Sequence, residues 1–198
     1  MSLTGGILAG GEGGRFGGTD KGWLRFQNRS FIEHVQAALA PQVDEVLISA
    51  NRNLARYAAL GHRVVTDDIG SGPAAGLLQL LEAAQHPWVL CVPCDALSLP
   101  ATLARDMLDA QWAEESDLVV LHEGARPHPT CCLVLRSLAP DLRQYLKDGH
   151  GALWRWQARH RVARLQSPSP FANVNDPAAL AALAQGGQSP DTGTRGQA

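Results

Sequence analysis

Gly5-Gly6-Ile7-Leu8-Ala9-Gly10-Gly11-Glu12-Gly13-Gly14-Arg15-Phe16-Gly17-Gly18-Thr19-Asp20-Lys21-Gly22 is the stretch on which the reading of this chain turns. The apolar run Ile7-Leu8-Ala9 stops at a glycine pair, the pattern of a buried strand emptying into a loop. The loop after Ala9 holds six glycines before Lys21, and its only cations are Arg15 and Lys21. Glycine backbone approaches a ligand closely and adopts positive φ without penalty. Inward-turned amides make a concave anion site, which an Arg fork and a Lys point charge complete as a polyphosphate cradle. The other reading of the same letters is a flexible surface linker. Position directly after the first strand favours the cradle.

The 198 residues suit one domain large enough to bury a core. A net charge of −2 gives no general attraction to nucleic acid or to an anionic membrane, so any phosphate site must be built locally. No apolar run reaches the ~20 residues of a membrane span, and no charged n-region with a following apolar segment marks a secretory signal. Cys91-x-x-Cys94 invites a zinc or redox reading, but it lies in the strand-like run Trp88–Pro93. Alternation sends Cys91 and Cys94 to opposite faces and separates Cys131 from Cys132. Buried free thiols in a reducing cytoplasm are expected instead.

Outward from the glycine stretch, Trp23–Phe26 alternates like a short strand, Gln27–Arg29 turns, and Ser30 caps a helix with Glu33 at capping-box spacing. A strand over 43–50, a helix over 54–60 stopped by Gly61, and a strand over 62–66 follow. A turn at Gly70–Pro73 leads to a helix over 74–84 and a strand over 88–93. Beyond Pro100 come a helix to Ala110, a strand over 118–121, a loop over 122–129 and a strand over 131–135. Helices are expected around 140–147 and 151–157, and short strands over 161–165 and 171–174. Asn175 or Asp176 caps a last helix over 177–184, and a Gly/Gln/Ser/Pro tail, 185–198, reads as disordered. Residues 1–184 thus form one domain. The alternation implies an α/β, Rossmann-like, mostly parallel sheet with helices on both faces, three layers in all. Ligands of such sheets sit beyond the carboxyl ends of the strands. Gly10-Gly11, Asn51, Asp67 and Asp95 all follow strand ends.

Neither of two common glycine motifs fits. The dinucleotide fingerprint fails because Phe16 stands where its third glycine belongs, and the Walker A loop fails because Thr19-Asp20 follows Gly18. The pattern L-A-G-G-x-x-x-R-x-G-x-x-D-K, Leu8 to Lys21, resembles the signature of the nucleotidyltransferases. With Gly18 and Gly22 around Asp20-Lys21, it is most similar to the molybdenum cofactor guanylyltransferase branch of that family. The resemblance implies a fold of the nucleotide-diphospho-sugar transferase type and runs from Gly6 to Leu183. Gly72-Pro73-x-x-Gly76, His128-Pro129-Thr130 and Asn173-Val174-Asn175-Asp176-Pro177 match further family segments in order.

The residues alone leave roles open. Asp95, in Cys-Pro-Cys-Asp at a strand end, suits either Mg²⁺ or an ordinary turn. Asp67 or Asp68 could bind hydroxyls of a sugar or base, or cap the next segment. The resemblance makes Asp95 the metal aspartate and Asp67 the nucleotide aspartate. In the Asn-Ala-Asn-Arg segment of the family this chain has Ser49 first and Asn51 third, so either contacts nucleotide. By the same resemblance Leu8, Ala9, Gly10, Gly11, Lys21, Gly72 and Gly76 surround nucleotide. Arg15, Lys21 and Asp95 carry the chemistry. Arg126, His128, Thr130, Asn173 and Asn175 hold the acceptor. The implied reaction is GMP transfer from GTP to the terminal phosphate of molybdenum-molybdopterin with Mg²⁺. Its implied partners are other cofactor-biosynthesis proteins and molybdoenzyme chaperones or targets, in the cytoplasm. Two readings compete: a relative using CTP or another NTP on a cofactor or sugar phosphate, and an inactive nucleotide-binding regulatory module.

Overall fold

Two adjacent glycines in the first strand set how closely the layers approach. The computed structural model describes residues 2–9, 18–168 and 171. In it β1 (Leu3–Leu8) is a central strand rather than a run beginning at Ile7. Successive residues of a strand face opposite sides. A Cβ on Gly5 would lie 2.9 Å from Leu39 Cδ2, and one on Gly6 would lie 2.6 Å from Leu80 Cδ1. Both glycines therefore let a helix press on the sheet, one from each face. Leu80 is fully buried and cannot swing aside. Gly6→Ala is expected to destabilise the fold by about 1–3 kcal/mol through overpacking, measured as a lower denaturant midpoint.

The remaining elements follow in chain order: β2 (Arg25–Phe26), β3 (Arg29–Ser30), α1 (Phe31–Leu39), β4 (Glu45–Ser49), α2 (Leu54–Ala58), β5 (Arg63–Val65), α3 (Pro73–Ala83), β6 (Trp88–Pro93), α4 (Leu103–Glu114), β7 (Leu118–Glu123), β8 (Arg126–Leu135), α5 (Ala139–Lys147), α6 (Leu153–Gln157) and β9 (Val162–Gln166). The main sheet has the order β5-β4-β1-β6-β8-β7-β9, and only β8 runs against the others. One face packs on α1, α2 and α4 through Ile32, Val35, Tyr57, Leu103 and Met107. The other packs on α3, α5 and α6 through Leu77, Leu81, Leu142 and Trp156. Strand alternation divides the two cores, with Ile48, Val92 and Cys131 on the first and Leu47, Cys91 and Cys132 on the second. The expected three-layer, mostly parallel architecture is what forms.

Local signals held where chemistry was specific. Glu33 accepts hydrogen bonds from the Ser30 N–H (2.7 Å) and Ser30 Oγ (2.6 Å), the reciprocal start of α1. Two expectations are corrected. Trp23–Phe26 is not one strand: Lys21–Trp23 is a 3-10 turn, and only Arg25–Phe26 pairs, in a hairpin whose turn residues Gln27 and Asn28 both have positive φ. The segment 122–129 is not a loop: β7 and β8 extend through it and turn at Gly124-Ala125. This half of β8 carries prolines 127 and 129, which a strand paired on both sides would not accept. They are tolerated because the β6–β8 ladder stops at Cys91–Cys132, so this half of β8 is paired to β7 only, across a register shift. The helix 54–60 is shorter, ending at Ala58, and the helix after Pro100 is longer, ending at Glu114. The strand expected over 171–174 (apart from Phe171), the helix over 177–184 and the tail lie outside the described residues.

The four cysteines are free and buried. The Cys132 contact and burial push the Cys91 thiol up, and burial does the same at Cys94 and Cys131, so none of these three is a thiolate at neutral pH. Among the described residues no three His, Cys, Asp or Glu cluster as metal ligands, and no helix is long and apolar enough to cross a membrane.

Candidate active site at the carboxyl edge

Parallel pairing brings the strand ends into line. Leu8 is in register with Ser49 and with Pro93, and Ser49 with Val65. The bonds continue one residue past the strands, with the Ala9 N–H donating to Ser49 O (2.8 Å) and the Cys94 N–H to Leu8 O (2.9 Å). Asn51, Asp67 and Asp95, far apart in sequence, are therefore set along one edge next to the exit of β1.

At the β6 end, the Lys21 ammonium donates to Asp95 Oδ2. Asp95 is 6% exposed. A buried carboxylate needs a cation or several donors, and here the cation arrives across 74 residues of sequence. The contact joins the two chemistry-bearing residues that the sequence signature singled out separately.

At the β4 and β5 ends, Asn51 Nδ2 donates to Asp67 Oδ2 (2.8 Å), and the Asp67 N–H donates back to Asn51 Oδ1 (2.9 Å). Asp67 Oδ1 is buried without a hydrogen-bond partner. Burial raises the Asp67 pKa, the Asn51 bond opposes the shift, and the Asp68 charge adds to it. An acceptor that has lost water and gained nothing is where a ligand donor would bind. Asp68 is tied elsewhere, to Gln79 and Arg143. Ser49 is 3% exposed, and its Oγ lies 2.7 Å from where a Gly76 Cβ would be, as does Leu8 Cδ2. Of the two alternatives, Asn51 stands on the open edge and Ser49 beneath α3. Gly76 is thus required by the close approach of α3. Gly72 precedes that helix at φ 79°, ψ −166°, a backbone state that only glycine adopts freely.

The far half of the edge carries Arg126, His128 and Thr130 on β8. Arg126 is exposed beside the turn, and Thr130 is half-buried. His128 is 4% exposed and meets the Phe171 ring edge-on at 4.8 Å. Its Nε2 is 3.5 Å from Glu123 Oε2, too long for a good hydrogen bond, so burial and the Arg126 charge win and the pKa is lowered. His128 is therefore a neutral, packed residue. Because the unfolded imidazole takes up a proton near 6.5 and the folded one resists it, its contribution to stability is complete above that value and is lost as pH falls below it. His62 and His122 act in the same sense, both through burial. The melting temperature should decline on acidification below about 6.5, and His128→Asn should flatten part of that decline.

Gly10, Gly11, Arg15, Asn173 and Asn175 lie outside the described residues. Sequence reasoning missed Asp20, Asn53 and Tyr57, which lie under Lys21. Asp20 Oδ1 accepts from Tyr57 OH (2.7 Å) and the Gly22 N–H (3.2 Å), and Oδ2 accepts from Asn53 Nδ2 (2.9 Å). Only the Asp-Lys dipeptide hinted at this, since nothing in the sequence marks a tyrosine 36 residues from Lys21.

Comparison with known proteins places the chain in a family. Residues 5–165 match the family model described as the MobA-like NTP transferase domain. A relative from Pasteurella multocida, named molybdenum cofactor guanylyltransferase, is 42% identical over 175 residues, covering 86% of this chain and 93% of its own. Among solved structures, a molybdopterin-guanine dinucleotide biosynthesis protein A from Archaeoglobus fulgidus superposes with a TM-score of 0.76 at 17% identity, over 92% of this chain and 97% of that one. A Mycobacterium tuberculosis protein solved as a complex with manganese superposes at 0.70 and 16% identity, over 93% and 99%. The family model spans most of the chain and the Pasteurella multocida relative covers 86% of it, so this chain belongs to the MobA-like NTP transferase family.

Proposed function

We propose that this protein transfers GMP from GTP to the terminal phosphate of molybdenum-molybdopterin, forming the guanine dinucleotide cofactor and releasing pyrophosphate. The carrying observation is the Lys21–Asp95 pair at the end of β6, in a chain of this family. An acceptor phosphate oxygen attacks the α-phosphorus of GTP in line, and the bond to the bridging oxygen of the pyrophosphate breaks. An anionic phosphate is already a nucleophile at neutral pH, so the protein need only position it and neutralise charge. Lys21 holds the phosphate tail and meets charge growing on the leaving group. On the sequence signature, Arg15 shares that task with the amides of Gly10 and Gly11. Asp67 Oδ1 and Asn51 take donors of the ribose or guanine, and Leu8, Ala9, Gly72 and Gly76 shape the space around them.

The donor set at β6 suits a divalent ion. One buried carboxylate, with no rival cluster among the described residues, is what a Mg²⁺ ion uses when substrate phosphates and waters complete its shell. Asp95 would hold that ion, and bound there it would supply Lewis-acid neutralisation of the phosphates. The acceptor is taken by the second half of the edge. There the proline-bearing half of β8, beyond the last β6–β8 pair Cys91–Cys132, carries Thr130 and Arg126, and the sequence pattern adds Asn173 and Asn175. His128 serves this region by packing. The same reading treats residues 1–184 as one domain acting in the cytoplasm, with cofactor-biosynthesis proteins and molybdoenzyme chaperones or targets as its neighbours.

Pyrophosphate release, measured with each NTP in turn and with or without molybdopterin, tests the proposal. Turnover is expected with GTP and only when the acceptor is present. A preference for CTP, or no turnover with any NTP, overturns it in favour of a different nucleotidyl transfer or a regulatory role.

A further inference from the structure

Lys21 follows a residue whose side chain is more fully hydrogen-bonded than a turn requires. Asp20 is 5% exposed, and its carboxylate takes the three donors given above. Two of them, Asn53 and Tyr57, come from the start of α2, 33 and 37 residues away. A buried carboxylate is costly unless its donors are fixed, and these donors are. Tyr57 is fully buried, its ring packs at a tilt against Trp23 at 4.9 Å, and Arg56 lies over the Trp23 ring at 3.8 Å. Gly22 has no side chain because a Cβ there would strike the Tyr57 hydroxyl. Asn53 sits at φ 53°, a left-handed state that costs a non-glycine residue energy and is kept only where surroundings enforce it.

The same short segment touches the rest of the site. Asn51 holds Asp67, Arg52 Nη1 donates to Gly18 O (3.3 Å), and Asn53 holds Asp20. Three consecutive residues thus reach the nucleoside side, the glycine loop and the lysine turn. We propose that Tyr57 and Asn53 are positioning residues for Lys21, acting through the Asp20 carboxylate, so that the β4–α2 segment sets the spacing between Lys21 and Asp67. This rests on the guanylyl-transfer reading for its catalytic consequence. In Tyr57→Phe the ring and its packing remain, but Asp20 Oδ1 loses a donor, the turn loosens and the ammonium leaves its place against Asp95. A misplacement of this size lowers turnover more than substrate binding.

The test uses the full chain. It contains two lysines, Lys21 and Lys147, and Lys147 is remote on α5. Labelling with an amine-reactive anhydride, quantified by mass spectrometry as the Lys21/Lys147 ratio, reports the freedom of Lys21 without any turnover. Tyr57→Phe should raise the ratio several-fold and lower kcat about tenfold, with the KM for GTP within about twofold. Asn53→Ala should do the same from the other carboxylate oxygen. In a Lys21→Ala background, Tyr57→Phe should change kcat by less than about twofold, because it acts through the missing ammonium. An unchanged ratio, an unchanged kcat, or an equal further loss in the Lys21→Ala background overturns the proposal. If wild-type protein turns over no GTP while the ratio still rises in Tyr57→Phe, the brace stands and the guanylyl-transfer reading fails.

Discussion

Lys21→Ala lowers kcat for GTP by about 10²- to 10³-fold, with circular dichroism unchanged. The size follows from what removal of one preorganised donor costs where negative charge develops in an oxyanion hole, about 3–4 kcal/mol. The ammonium is fixed before substrate arrives, by Asp95 on one side and by the Asp20 turn on the other. No reorganisation is then needed as charge moves onto the pyrophosphate. Substitution by Arg should restore little, because a planar fork does not reproduce a compact point charge reaching one carboxylate oxygen. Steady-state pyrophosphate release at saturating molybdopterin and divalent ion measures the effect. Near-normal kcat and KM would remove Lys21 from the site.

Asp95→Ala is expected to lose about 10³-fold in turnover, the several kcal/mol that an anchored metal ion contributes. The carboxylate would carry two duties, as the acidic group that follows the end of β6 and as the acceptor of the Lys21 ammonium. The divalent-ion concentration for half-maximal activity should rise at the same time, because phosphates alone hold the ion weakly. Titrating Mg²⁺ and Mn²⁺ against turnover in wild type and variant separates the two duties. Loss of kcat without a shift in metal requirement would leave only the lysine contact. Activity at the wild-type level and metal dependence would exclude Asp95 altogether.

Much of this was legible in the letters. Where a signal is local, the chain displays it: the Ser30–Glu33 box, the end of β1 ahead of the glycines, the glycine-bearing turn before α3, and the alternation that parted Cys91 from Cys94 and Cys131 from Cys132. Where it depends on partners, the chain is silent or misleading. Trp23–Phe26 has strand alternation, yet Asp20 caps a 3-10 turn and Tyr57 claims Trp23 as a ring partner. Prolines 127 and 129 read as loop because nothing in the sequence says that β6 stops pairing short of them. The sequence also gives no sign that the His128 ring packs edge-on against Phe171.

The sequence by itself determined the type of sheet, because periodicity, caps and glycine spacing are short-range and read along one strand or helix, and its resemblance to a known signature pointed to the family and nominated Lys21, Asp67 and Asp95. Only the tertiary structure decided that Lys21 meets Asp95, that Asn51 rather than Ser49 faces the open edge, and that a buried tyrosine braces the lysine turn. These depend on register between strands and on which face each side chain takes, quantities fixed when distant segments pack and hydrogen-bond.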